Sequence, residues 1–393
     1  MKLLILTSRF PYPIEKGDKL RIYHQLKYLA EKHEVHLISI SDREIEEEHR
    51  QHLESICASI HIFPIGKGGI LWSLLKGVFD AWPFQVHYFY RKSIHKKILK
   101  IAEELKPDRV YCQLIRMAPY VKGIDASKSL DYMDAFSLGM KRRAKYHSGL
   151  KRILFKWEAS KLKSFESYIF SDFNSHSIIS EQDREALSTP YKDQIQLIPN
   201  GVDIDFFQPK DKETEYELVF VGNMGYSPNI IAAKYLATQL LPKIQEDLPE
   251  TRLLLAGARP VKQVLDLAKI EGVSIGGWYE DIRDAYASGK VFVAPLFTGS
   301  GQQNKILEAM AMGIPCVSTT IVNKAIGAKA PQDILLGDDL ESLAEHCLFL
   351  LKNPDHILIQ SGYSRRFVEE NYAWPQSHKK LEELFTRSVS LTR

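Results

Sequence analysis

The chain has 393 residues, 45% of them hydrophobic and 26% charged, with a net charge of +3. That length predicts two domains of nearly ~200 residues each rather than one core, and the composition is ordinary for a soluble globular protein. No run reaches the roughly 18 apolar residues that span a bilayer, and the scattered Cys57, Cys112, Cys316 and Cys347 exclude a disulfide frame or a zinc site, leaving four reduced core cysteines.

The opening MKLLILTSRFPYP holds too short an apolar run for a signal peptide, so Leu3–Thr7 reads as a first strand in a cytoplasmic protein. A helix is predicted over Asp18–Glu31, followed by strands at Val35–Ile40, Ser59–Pro64 and Arg109–Gln113. Strand and helix alternating in this way make a parallel sheet covered on both faces. Between the first strand and helix, Gly17 is flanked by Lys16, Lys19 and Arg21. Ligands of open parallel sheets sit at the carboxyl ends of the strands, so this loop is expected in a central cleft. A plain turn explains the prolines and the glycine equally well, but not so many cations.

Further on, SLDYMD over Ser129–Asp134 reads as a strand ending in a carboxylate. Asp131 and Asp134 differ in parity, so only one can enter the cleft; Asp134 is favoured, with an N-cap for the next helix as its competing role. Residues 141–163 read as one long basic helix, with nine Lys and Arg against Glu158 alone. Interleaved Ile153, Leu154, Phe155 and Trp157 suit an anionic membrane surface, while a solvated helix face is the alternative. The excess of charge is local: residues 1–207 carry 32 Lys and Arg against 26 Asp and Glu, the remainder 20 against 23. With a pI of only 8.4 and no nucleic-acid motif, nucleic acid is not the expected partner. A strand at His176–Ile179 and the polar stretch Lys210–Glu215, read as a linker, complete the first half.

The second half repeats the βα rhythm from YELVFVGNMGYSPN onward, with Trp278 following Gly276-Gly277. Its most informative stretch is Val291–Ser318, where VFVAP forms a strand, GSG breaks it and KILEAMAM resumes at helical spacing. Ser300 with Gln303 fits a capping box, so the helix should begin near Gly301. Backbone N–H groups around Gly299, Ser300, Gly301, Gln303 and Asn304 would then converge with the helix dipole on a phosphate. Lys305 and Glu308 share one helix face, suited to a diphosphate and to paired ribose hydroxyls respectively. As an ordinary surface pair they would contribute only a few tenths of a kcal/mol, roughly.

This stretch resembles the donor-site motif of the retaining glycosyltransferases of family four, also called glycosyl transferases group 1. Glu308 matches the second Glu of that motif, followed by Ala309-Met310-Ala311 and Gly313-Ile314-Pro315, whereas Ser300 stands where the first Glu belongs. PNGVD at Pro199–Asp203 and the loop PYPIEKGDKLR add to the resemblance, the latter pointing to the bacterial exopolysaccharide or PEP-CTERM-associated subset. The resemblance implies a GT-B fold, two Rossmann-like domains facing across a cleft. Residues 1–207 would form the acceptor side, 208–216 a linker and 217–374 the donor-binding domain, with a crossover helix at 375–393.

It also implies sugar transfer from a nucleotide-sugar to a glycan or lipid-linked acceptor with retention, without a metal. Lys305 and Glu308 would be the principal catalytic residues, with Asp134 a helper; Gly17, Lys19, Arg21, Gly222, Asn223 and the 299–304 loop would bind substrate. Trp278 would face the nucleobase or, alternatively, fill a core. Relatives carry Gly-Arg where this chain has Gly222-Asn223, and a lysine where it has Asn229. These departures keep open a non-catalytic nucleotide-sugar-binding relative, and the architecture keeps open a sugar-nucleotide epimerase. No G-x-G-x-x-G, Walker loop, H-E-x-x-H or G-x-S-x-G supports another enzyme class.

Overall fold

The computed structural model describes residues 1–14, 16–211, 213–297 and 301–386. The chain divides into two compact units, Met1–Pro199 with the segment from His378 onward, and Asn200–Ser377.

The first unit is built on a seven-stranded parallel sheet. Its strands are β1 (Lys2–Thr7), β2 (Glu34–Ser41), β3 (Ser59–Pro64), β4 (Arg109–Gln113), β5 (Ser127–Asp131), β6 (Ser175–Ile178) and β7 (Gln196–Leu197), in the order β3-β2-β1-β4-β5-β6-β7. Successive side chains of a strand point to opposite faces, and both faces here are covered. Leu3 and Ile5 pack with Ile22, Leu26 and Leu29 of the helix Gly17–Ala30 and with Leu381 and Phe385 near the C-terminus. Leu4 and Leu6 join Ile38, Val110, Leu130 and Phe165 on the other side. That double burial is why β1 reads as a nearly unbroken apolar run from Leu3 to Leu6.

Two expectations for this unit are corrected. The strand SLDYMD ends at Asp131, because Met133 takes φ 61° and turns the chain out of the sheet. The long basic helix is two helices, Phe136–Lys145 and Gly149–Tyr168, separated at residues 146–148, with Gly149 at φ 58° opening the second.

The second unit carries a six-stranded parallel sheet of β8 (Tyr216–Val221), β9 (Leu253–Ala256), β10 (Val273–Gly277), β11 (Gly289–Ala294), β12 (Cys316–Ser318) and β13 (Leu335–Leu336), ordered β10-β9-β8-β11-β12-β13. Val219, Leu254, Phe292, Met310 and Val317 are among its buried residues. The division between units falls at Pro199/Asn200, before the linker expected at 208–216. Asn200 is already tied to Gln302, and the Val202 N–H donates to the Tyr372 carbonyl, so this segment packs as part of the second unit. The return also comes later than expected, at His378 inside the helix Trp374–Thr386. All four cysteines are free and buried. Among the described residues, no helix is long and apolar enough to cross a membrane.

Candidate functional site

In the second unit the carboxyl ends of β8 and β9 meet main chain to main chain. The Gly222 N–H donates to the Ala256 carbonyl and the Met224 N–H to that of Ala258. A Cβ on Gly257 would lie 1.9 Å from the Gly222 oxygen, so nothing larger than glycine fits there. After the turn, Asn229 in the helix Ser227–Tyr235 donates from Nδ2 to the Asn223 carbonyl at 3.0 Å. A Cβ on Gly222 would meet that Nδ2 at 2.8 Å and Lys305 Cε at 3.4 Å. Gly222, Asn229 and the sequence-distant Lys305 therefore form one locus at the end of the sheet.

Lys305 belongs to the helix Asn304–Ala311, which follows β11. Its ammonium donates to Gln303 Oε1 at 2.9 Å. Burial holds its pKa down to about 8, with Glu308 pulling weakly the other way. One turn further, Glu308 accepts the Tyr286 hydroxyl at 2.7 Å on Oε2, and Tyr286 is itself fully buried. Burial raises the Glu308 pKa, opposed by the Tyr286 hydrogen bond and by Lys305. The two charges thus have separate partners: a cation beside the glycine turn and a carboxylate anchored at one oxygen. Such a pair suits a ligand with an anionic group and a hydroxylated group about one helical turn apart.

The helix begins at Asn304, not near Gly301, and Gln303 at its N-cap makes no side-chain cap bond. Gly299 and Ser300 lie outside the described residues, and with them the capping box and part of the expected phosphate cradle. Gly301 is buried, and Gln303 and Asn304 are half-buried at the helix start. Asn223 is turned back on its own loop, its Oδ1 accepting the Gly225 N–H at 2.9 Å. Trp278 is 71% exposed, which removes the core alternative for it.

Three contributions escaped the sequence reading. Tyr286 sits in the helix Ile282–Ala287 with nothing local to mark it. Gln302 makes reciprocal bonds to Asn200, accepting from its N–H at 2.9 Å and donating to its carbonyl at 2.8 Å, and so fixes the loop before the helix. Asn229, noted only as a missing lysine, shapes the Gly222 turn and keeps a buried Oδ1 without a partner among the described residues.

In the first unit the expected sites separate. Gly17 opens its helix and is exposed, with Lys16 before it; Lys19 is half-buried. Arg21 is fully buried: its Nε donates to Asp131 Oδ2 at 2.6 Å and its Nη2 to Oδ1 at 3.2 Å. Helical periodicity turns this residue into the sheet, so it is an internal ion pair rather than a substrate ligand. Asp134 is half-buried just past β5, and its pKa is pushed up to about 7 by burial and then by Asp183 and Asp131. Helix capping is done by others: the Ser137 N–H and hydroxyl donate to Glu166, and the Ala135 N–H to Asp183. The N-cap alternative for Asp134 is therefore filled, and its carboxyl stays at the carboxyl edge of the sheet. Among the described residues, no group of three or more His, Cys, Asp and Glu is placed to hold a metal ion.

Two parallel-sheet Rossmann-like units of this kind define the GT-B fold. Residues 215–353, most of the second unit, match the family model Glycosyl transferases group 1. Over 390 residues, covering 94% of this chain and 96% of the other, the chain is 23% identical to an uncharacterized 44.6 kDa protein in the cps region of Klebsiella pneumoniae. Sucrose-phosphate synthase from Thermosynechococcus elongatus superimposes with a TM-score of 0.70 at 14% identity, over 98% of each chain. Anabaena HepE in complex with UDP-glucose does so with 0.69 at 14% identity, over 98% of this chain and 99% of that one.

If Glu308 holds a ligand hydroxyl, Glu308→Gln will replace a charge-assisted hydrogen bond by a neutral one and weaken nucleotide-sugar binding about tenfold, or about 1.4 kcal/mol. Calorimetric titration of the two proteins checks this; an unchanged Kd removes Glu308 from the site.

Proposed function

We propose that the protein is a retaining glycosyltransferase that moves a sugar from a nucleotide-sugar to an acceptor hydroxyl in the synthesis of a bacterial surface polysaccharide or lipid-linked glycan. The observation that carries this reading is Lys305 packed against the Gly222 turn, with Glu308 one turn away on the Tyr286 hydroxyl. Departure of a nucleoside diphosphate builds negative charge that needs a preorganised cation. Lys305 fills that role alone in this unit's expected set, since Asn223 and Asn229 replace the cations of the family motif. The match to Glycosyl transferases group 1 over the same residues supports the class, and the cps-region relative supports a polysaccharide product. Asp134, with its raised pKa, would assist at the acceptor.

Donor identity is tested by titrating the protein calorimetrically with UDP-, GDP-, ADP- and dTDP-sugars, then following donor hydrolysis. Binding with slow hydrolysis supports the transferase. Tight binding with no turnover, even with membrane extracts supplied as acceptor, selects the second reading, a non-catalytic nucleotide-sugar-binding relative. The Asn223 side chain spent on its own turn favours that alternative.

Acceptor delivery at the cytoplasmic face of an anionic membrane is part of the same proposal. Leu150, Ile153 and Leu154 are 81%, 65% and 47% exposed beside Lys151, Arg152 and Lys156. A second apolar surface, missed in the sequence, lies on the helix Lys67–Gly77 and just beyond it, where Trp72 is 63% and Phe79 95% exposed. Lys161 Nζ ties the two regions together by donating to the Gly77 carbonyl at 2.8 Å. Reversing Lys151, Arg152 and Lys156 to Glu will abolish sedimentation with phosphatidylglycerol vesicles. Unaltered sedimentation would assign this face to solvent.

A further inference from the structure

Arg116 sits in the short helical turn Ile115–Val121 that directly follows β4, the middle strand of the first unit's sheet. The chain enters that turn through Leu114 at φ 69°, a left-handed conformation unusual for leucine, held in place by the Leu114 N–H donating to the Asp131 carbonyl. The guanidinium packs against two aromatic rings, 4.9 Å from the Phe136 centroid and 5.2 Å from that of Phe89. Among the described residues it makes no hydrogen bond and no ion pair, and its Nε is buried without a partner.

The carboxylates within electrostatic reach do not pair with it. Asp18 is paired with Arg9 at 2.5 Å, and Asp42 accepts the Tyr88 hydroxyl at 2.7 Å. Asp134 is kept partly protonated by its own burial. Desolvation and Arg9 pull the Arg116 pKa down to about 10, against the weaker opposing pull of these acids. A half-buried arginine without a carboxylate costs stability, and the protein gains nothing from it internally beyond two ring contacts. Its planar fork is, however, the side chain best matched to two oxygens of one anion.

Resting on the transferase reading, we infer that Arg116 is the anion-recognising residue for the acceptor, binding a phosphate or carboxylate group at the carboxyl end of β4 within the first unit. The two aromatic rings hold the guanidinium in place, and Arg9 adds positive potential beside it. The residues of this subsite belong to the first unit and those of the Lys305 locus to the second.

The test titrates the full chain with inorganic phosphate and, separately, with glucuronate, by calorimetry, using wild type, Arg116→Met and Arg116→Lys. UDP is titrated into the same three proteins. Arg116→Met is expected to lower affinity for the anion that binds by tenfold or more, Arg116→Lys to recover part of it, and UDP affinity to stay unchanged. Phosphate binding would identify a phosphorylated acceptor and glucuronate binding a uronic-acid acceptor. Equal anion affinity in wild type and Arg116→Met, or no binding of either anion to wild type, overturns the inference. If Arg116→Met fails to fold, Arg116→Lys decides on the same readout, because it keeps the charge and loses the fork. Failure of all three proteins to bind any of the UDP-, GDP-, ADP- and dTDP-sugars, with Arg116-dependent anion binding intact, would overturn the donor reading and leave the anion subsite standing.

Discussion

Lys305→Ala will lower kcat/KM by about 100-fold or more, roughly 3 kcal/mol, while nucleotide affinity changes far less. On the proposed transferase reading, the charge that Lys305 would oppose grows as the glycosidic bond breaks, so its contribution would belong mainly to the transition state. Its position against the Gly222 turn and its partner Gln303 fix the ammonium before substrate arrives. The pH profile carries the same signature. Burial disfavours the charged form and brings the pKa to about 8, so the ammonium is present below that pH and is lost as pH rises through it. Wild-type kcat/KM should therefore fall above about pH 8. Lys305→Ala should lack that limb, and equal losses in kcat/KM and in nucleotide affinity would assign Lys305 to ground-state binding alone.

The largest stability effect is expected from Asp131→Ala. Its carboxylate meets Arg21 Nε at 2.6 Å and also accepts the Ser177 hydroxyl at 2.9 Å, with both charged side chains excluded from solvent. Removing the acid leaves a guanidinium inside the first unit and should cost about 3–5 kcal/mol. The measurement is the urea midpoint of that unit's unfolding transition, followed by circular dichroism. Breaking an exposed pair such as Arg50 with Glu54 should hardly move the same midpoint. A comparable small shift for Asp131→Ala would mean that Arg21 finds water or another acceptor once the carboxylate is gone.

The contrast between Arg21 and Lys305 shows what the sequence could reveal. Strand periodicity and βα alternation survive in any local window, so β3 and β4 were placed at their observed ends, whereas the GT-B architecture came from the family resemblance. The pairing of Lys305 with Glu308 was legible because helical spacing alone puts them on one face. Arg21 was misplaced for a tertiary reason: it reads as one of several loop cations until the sheet supplies Asp131, 110 positions later, as its partner. Tyr286 and Gln302 were invisible on the same grounds, since each acts through a residue distant in sequence. The break at Gly149 is different. SGL contained the glycine, but the surrounding basic and apolar periodicity continued through it and outweighed a single helix breaker.

The contact between Gly222 and Gly257 bears on how a donor preference at the proposed site could change. Where the ends of β8 and β9 touch, the floor is peptide backbone, and at 257 even a methyl group would collide with it. A floor of that kind presents the same N–H and C=O groups whatever the neighbouring side chains become. Its N–H groups at Gly222, Met224 and Gly257 are spent on the carbonyls of Ala256, Ala258 and Gly277, so they fix the turn and carry no preference for one base or sugar over another. On the proposed reading, discrimination between donors falls to side chains, and Trp278, large and mostly solvent-facing just past β10, can vary without disturbing the sheet.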